Sequence, residues 1–101
     1  MRRFNGRRFT AAEAWDGPTI TTIAHAAVKL RWTDQPFRWH VNDGEEVFVV
    51  IDGTVDMHLR DAHGECVVTL NAGEMLHLEA GEEHVAHPRG VARVLVVEQA
   101  S

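Results

Sequence analysis

The sequence predicts an all-β domain, a sandwich or a closed barrel, and three observations carry that prediction. Nine short runs rich in β-branched and aromatic residues follow one another at spacings of roughly 8–12 residues. The gaps between them hold turn residues. Beyond the first turns of the chain, no stretch sustains the 3.6-residue repeat of an amphipathic helix. With 101 residues there is material for one core and no second lobe, so a single domain over residues 1–101 is expected, with a barrel over 19–98.

The elements are justified in order. Residues 1–9 carry Arg2, Arg3, Arg7 and Arg8 and read as a flexible tail. Thr10-Ala11-Ala12-Glu13 fits a capping box, so a short N-terminal helix is expected over 11–15, stopped by Gly17-Pro18. Strands are expected at 19–24, 26–33, 37–42, 45–51, 54–60, 66–70, 74–79, 84–87 and 92–98. Asp34-Gln35-Pro36, Asn42-Asp43-Gly44, Asp52-Gly53 and Asn71-Ala72-Gly73 are among the turns that separate them. In 26–33, Val28, Leu30 and Trp32 oppose Lys29 and Arg31. In 54–60, Val55, Met57 and Leu59 oppose Asp56, His58 and Arg60, so both strands are expected to have one wet face. Val47 to Ile51 is apolar on both faces, as in a central strand. In 37–42, periodicity alone buries Phe37, Trp39 and Val41 and exposes Arg38, His40 and Asn42. Cys66 reads as a small core residue.

Composition narrows the function classes. One cysteine permits no intrachain disulfide and no thiolate-rich metal site. The first eight residues carry four arginines, whereas the remaining 93 carry six positive and fifteen negative side chains. A body that acidic repels nucleic acid, so none is expected as a partner. The apolar stretch at Val47-Phe48-Val49-Val50-Ile51 is far short of the roughly 20 residues that span a bilayer, and the N-terminus lacks an apolar signal region. A soluble, cytoplasmic protein without a membrane partner is expected.

The chemistry concentrates in the histidines. His40 and Asn42 stand at i and i+2 on one strand face, and the Asp43-Gly44-Glu45 turn brings Glu46 back beside them. An imidazole and a carboxylate at that separation can converge on one cation about 2.1 Å from each donor. A further ligand must come from elsewhere, and His84 opens a later strand. The competing reading of His40 and Glu46 is a solvated hairpin end, and that of His84 a surface loop histidine. Asn42 reads as a hydrogen-bonding or turn residue, with ligation through its amide oxygen as the alternative. His77, with Met75 on the same face, is either a substitute imidazole or a half-buried histidine with a partner of its own. His58 and His63 are expected at the surface. Arg38 shares the His40 face and is either an anion holder or an exposed strand-start arginine.

At these residues the sequence resembles the cupin superfamily. His40-Val41-Asn42-Asp43-Gly44-Glu45-Glu46, then six residues to Gly53, is similar to the first cupin motif, in which His-x-His precedes a Glu and a Gly. Gly73 to His84 is similar to the second, Gly, five residues, Pro-x-Gly-x-x-His, and nineteen residues separate the two. The resemblance spans residues 19–98, and Trp39-His40 with the closing 92–98 strand look like small single-domain bacterial cupins. It implies a double-stranded β-helix, or jelly-roll barrel, with a pocket between its sheets. It also implies His40, Glu46 and His84 as ligands of a divalent metal such as Fe, Mn, Zn or Ni, with Asn42 as a possible further ligand at the remaining family position. Phe48, Val50, Met57, Met75 and Arg38 are the expected pocket residues. If the His-x-His face turns inward, Phe37, Trp39 and Val41 lie outside and need cover from another sheet or subunit, so a homodimer is expected.

Asn42 stands where the family pattern has a second histidine, and Glu79 where it has a proline. Without Asn42, two histidines and one carboxylate remain, the donor set of non-haem Fe(II) oxygenases. The expected function is therefore a small metal-binding cupin that acts on or binds a small molecule. The alternatives are a non-catalytic ligand-binding or sensing cupin, and a metal-free structural cupin with a degenerate site. Neither substrate nor reaction is specified by any motif.

Overall fold

The computed structural model of the chain describes residues 1–99; positions 100 and 101, included in the expected domain, lie outside the described residues. Nine strands are present among them: β1 (Thr19–Ile23), β2 (Ala26–Thr33), β3 (His40–Val41), β4 (Glu46–Asp52), β5 (Thr54–Asp61), β6 (Gly64–Asn71), β7 (Met75–Leu78), β8 (Glu83–Pro88) and β9 (Ala92–Gln99). They form two antiparallel sheets, one in the order β1-β2-β9-β4-β7 and one in the order β3-β8-β5-β6. No helix among the described residues is long and apolar enough to cross a membrane.

The core follows from the two central strands. Phe48 and Val50 of β4 and Val94 and Val96 of β9 face Val55 and Met57 of β5 across the barrel, closed by Leu70 and Leu78. Val50, Val55, Met57 and Val94 have no exposed surface, and each such side chain contributes about 1.5–3 kcal/mol by leaving water. This closes one part of the barrel and leaves a cavity at the other.

Four expectations need correction. Residues 11–15 form no helix: five residues cannot offset the cost of nucleation. Their backbone is drawn into a strand bridge instead, where the Trp15 N–H donates to the Trp32 carbonyl at 2.8 Å and the Trp32 N–H to that of Asp16 at 2.9 Å. The expected strand at 37–42 shrinks to His40–Val41. Next, the wet face assigned to Lys29 and Arg31 points into the barrel, because both line its cavity. Leu30, on the opposite face, is 2% exposed, since the N-terminal segment lies over it. Gly6 passes so close there that a Cβ would sit 2.9 Å from Ile51 Cδ1. Gly17, at φ +146°, comes so near the Leu30 carbonyl oxygen that a Cβ would lie 2.2 Å from it. Finally, Cys66 is exposed, because the inner register of edge strand β6 runs from buried Leu70 through half-buried Val68 to an uncovered end.

Candidate metal centre

The two ends of the barrel differ in what their inner faces carry. On the open side, β3 pairs with β8 so that His40 stands opposite His84. Glu46, the first residue of β4, reaches the same point from the other sheet. The donor atoms of His40, Glu46 and His84 lie within 4.8 Å of one another. Glu46 and His84 are buried, at 5% and 2% exposure, and His40 is half-buried.

Backbone carbonyls set the tautomer of both imidazoles. His40 Nδ1 lies 2.9 Å from the Arg38 carbonyl oxygen and His84 Nδ1 lies 2.8 Å from that of Glu82. A carbonyl only accepts, so each Nδ1 carries the proton and each neutral ring keeps its lone pair on Nε2. Metal-binding histidines are held in the same way. His84 Nε2 is buried without a hydrogen-bond partner, and the nearest carboxylate oxygen, Glu46 Oε1, is 3.5 Å away. A buried polar atom left unpaired in this way costs about 1–3 kcal/mol unless something else satisfies it. Burial pushes the His84 pKa down, but the nearby Glu46 carboxylate, the hydrogen bond to the Glu82 carbonyl and the Glu82 charge outweigh it and hold the pKa above the ordinary value of 6.5.

Asn42 serves the carboxylate. Its amide nitrogen donates to Glu46 Oε1; the amide oxygen turned that way would repel the carboxylate, so the donor orientation is fixed by charge. The three donors and their supports fit a divalent cation: two neutral imidazoles, one carboxylate and an orphaned lone pair converge on one point.

The cavity beside this cluster has a volume of about 240 Å³. Phe48 and Met57 line it, whereas Val50 is sealed in the core. Met75 is 60% exposed, and Arg38 lies over the Phe37 ring at 4.9 Å, outside the cavity. His77 is exposed on the edge strand β7 and contacts Glu45 at 2.8 Å, apart from the cluster. His58 is half-buried and packs against His87 with the rings tilted by 48° and their centroids 4.3 Å apart, and His63 is exposed in its turn. Phe37 also departs from expectation. It sits at the cavity mouth between Trp15 and His40, at 5.4 and 5.0 Å, because its N–H is tied to the Ala86 carbonyl. Trp39 is covered by the Arg60 guanidinium at 3.9 Å, which leaves Val41, at 53%, and Phe37, at 37%, as the exposed members of that trio.

Among the lining residues that sequence reasoning missed are Trp15, Lys29, Arg31, Phe37 and Glu98. A signal was present, since the inward turn of the His40 face, applied equally to β2, would have placed Lys29 and Arg31 inside.

Comparison with known proteins agrees with this fold. The family described as Cupin domain matches residues 30–98. Among solved structures, a cupin-2 domain containing protein from Shewanella frigidimarina is 29% identical, with a TM-score of 0.77 over 88% of this chain and 84% of that one. The hydroquinone 1,2-dioxygenase of Sphingomonas sp. TTNP3, solved with 4-hydroxybenzoate bound, is 18% identical, with a TM-score of 0.79 over 90% of this chain and 29% of that one. A second hydroquinone 1,2-dioxygenase, in complex with Fe3+, is 16% identical with the same TM-score of 0.79, covering 90% of this chain and 29% of that one. No curated protein matches the sequence.

Proposed function

The chain belongs to the cupin domain family, and from that premise we propose that it holds one divalent metal ion through His40, Glu46 and His84 and uses it to bind and act on a small organic molecule. The observation that carries this reading is the pair of imidazoles whose Nδ1–H groups are spent on the Arg38 and Glu82 carbonyls, leaving Nε2 of both free toward Glu46. A bound ion of the non-haem iron type would supply a Lewis acid with coordination positions left open for substrate.

The chain's own residues do the rest. Asn42 holds the Glu46 carboxylate in place from behind. Phe37 packs edge-on against His40, and His40 against His84 at 4.2 Å, which helps to orient both rings. The cavity volume of about 240 Å³ suits a small organic molecule. Two structures of this fold are hydroquinone 1,2-dioxygenases, one of them with Fe3+; for this chain, oxygenation of a small molecule is the reaction class to assay first.

The test is the metal content of tag-free protein after loading, measured by elemental analysis beside His84→Ala and Glu46→Gln. The reading predicts about one equivalent in wild type and little in either variant. Less than about a tenth of an equivalent in wild type, with no rise in melting temperature on adding metal, would remove the proposal.

A further inference from the structure

We propose that the cavity receives a small organic anion, a carboxylate on a planar apolar body, with the charged end held by Arg31. This deepens the reading above and rests on it for the end of the ligand that meets His40, Glu46 and His84; the contact with Arg31 stands on its own observations.

The first of these is an unbalanced charge. Lys29, Arg60, Arg89 and Arg93 each have a carboxylate, from Glu98, Glu83, Asp56 and Asp52. Arg31 also lines the cavity, yet among the described residues it has no acidic partner. Its guanidinium is nonetheless held still, since one terminal nitrogen donates to the Gly17 carbonyl at 2.7 Å and to that of Leu30 at 3.1 Å. Among the described residues the other terminal nitrogen and Nε have no partner, and they form the fork that matches a carboxylate. Fixing the cation in advance removes part of the ordering cost of binding.

The second observation is placement. Glu46 stands opposite Glu98 of β9, and Glu98 opposite Ala27 of β2. Arg31 therefore lies two strands across and four residues along from Glu46, at the far corner of the cavity wall. Lys29 lies between them but is neutralised by Glu98 at 2.6 Å. A bound divalent ion would have one of its charges offset by Glu46, and Arg31 adds another. The loaded cavity then favours an anion that spans the two ends.

The third is the wall. Trp15 and Phe37 meet edge to face at 5.4 Å at the mouth, and Phe48 and Met57 lie deeper. Trp15 is held at φ +62°, an uncommon backbone state for so large a residue, with its indole N–H on the Gln35 carbonyl at 2.9 Å. Aromatic edges and faces of this kind suit a flat apolar body.

The test uses benzoate and its neutral isostere benzamide, titrated by calorimetry or NMR into wild type, Arg31→Met and Arg31→Lys, each with metal loaded and with metal chelated. Wild type should bind benzoate at least about tenfold more tightly than benzamide. Arg31→Met should weaken benzoate by roughly 10–100-fold while leaving benzamide within about twofold, and Arg31→Lys should recover part of the loss. Equal affinity for the two probes, indifference of benzoate to Arg31→Met, or no saturable benzoate binding by wild type up to about 10 mM would overturn the proposal. If Arg31→Met does not fold, the wild-type comparison of the two probes and the Arg31→Lys protein still decide it. Metal affinity measured on the same proteins separates the two readings. Failure to bind metal, with benzoate still dependent on Arg31 in chelated protein, refutes the metal site alone; metal bound normally with no Arg31 dependence refutes this inference alone.

Discussion

Replacing Asn42 with alanine probes the support of the cluster without touching a donor. The Glu46 carboxylate is 5% exposed, and the amide of Asn42 is its one hydrogen-bond donor within normal reach among the described residues. Removing a hydrogen bond to a charged group costs about 1.5–3 kcal/mol. For a domain of about 100 residues each kcal/mol lowers Tm by roughly 4–8 °C, so a fall of about 6–24 °C is expected in metal-free protein. Metal affinity should drop as well, by about 10–100-fold, the usual effect of losing the group that orients a ligand. Thermal unfolding of the apo protein and competitive titration against a chelator measure the two quantities separately. An Asn42→Ala protein with wild-type Tm and wild-type metal affinity would refute the reasoning, because it would mean that Glu46 needs no partner to stay buried and aligned.

Three further outcomes follow from the geometry. Metal affinity should fall as pH drops, and the fall should begin above pH 6.5, because the His84 pKa is raised from that value and protons compete for the Nε2 lone pair; affinity that stays flat down to about pH 5 would count against histidine ligation. The Asp56 carboxyl is pulled down from 3.8 to about 2 by hydrogen bonds from Arg89 and Thr69. Its folded-state pKa is depressed, so it contributes stability above its unfolded value that disappears as pH falls from about 4 toward 2; with Arg89 largely in solvent the contribution is about 1 kcal/mol or less, and acid unfolding of Asp56→Asn should show a correspondingly flatter limb. His77→Ala should leave metal affinity within about twofold of wild type and change stability by less than about 0.5 kcal/mol, since its contact with Glu45 is solvent-exposed; a large loss of metal in this variant would move the site.

Much of the architecture was legible from pattern alone, because strand and turn chemistry are local. Ala26–Thr33 begins and ends where the β-branched run does, and the Asp52-Gly53 and Asn71-Ala72-Gly73 breaks fall at strand ends. What pattern could not decide was which face of an alternating strand turns inward. In β2 and β3 the polar face does so, because the apolar face of β2 is covered by the N-terminal segment around Gly6 and the inner space holds charged groups instead of a core. The same segment misled the helix expectation: a capping box is a local preference, and the bridge between Asp16 and Trp32 is a long-range contact that overrides it. The cluster of His40, Glu46 and His84 came from spacing and family resemblance, whereas the role of Asn42 as a donor to Glu46 needed the folded geometry. Arg31 was hidden for the reason that applied to β2 as a whole.

The most direct measurement is anomalous diffraction from crystals soaked in manganese or zinc. One peak should appear about 2.0–2.3 Å from Nε2 of His40, Nε2 of His84 and a carboxylate oxygen of Glu46, and it should vanish in His84→Ala crystals. A peak at the His58–His87 pair or between His77 and Glu45, with none at the cluster, would contradict the account.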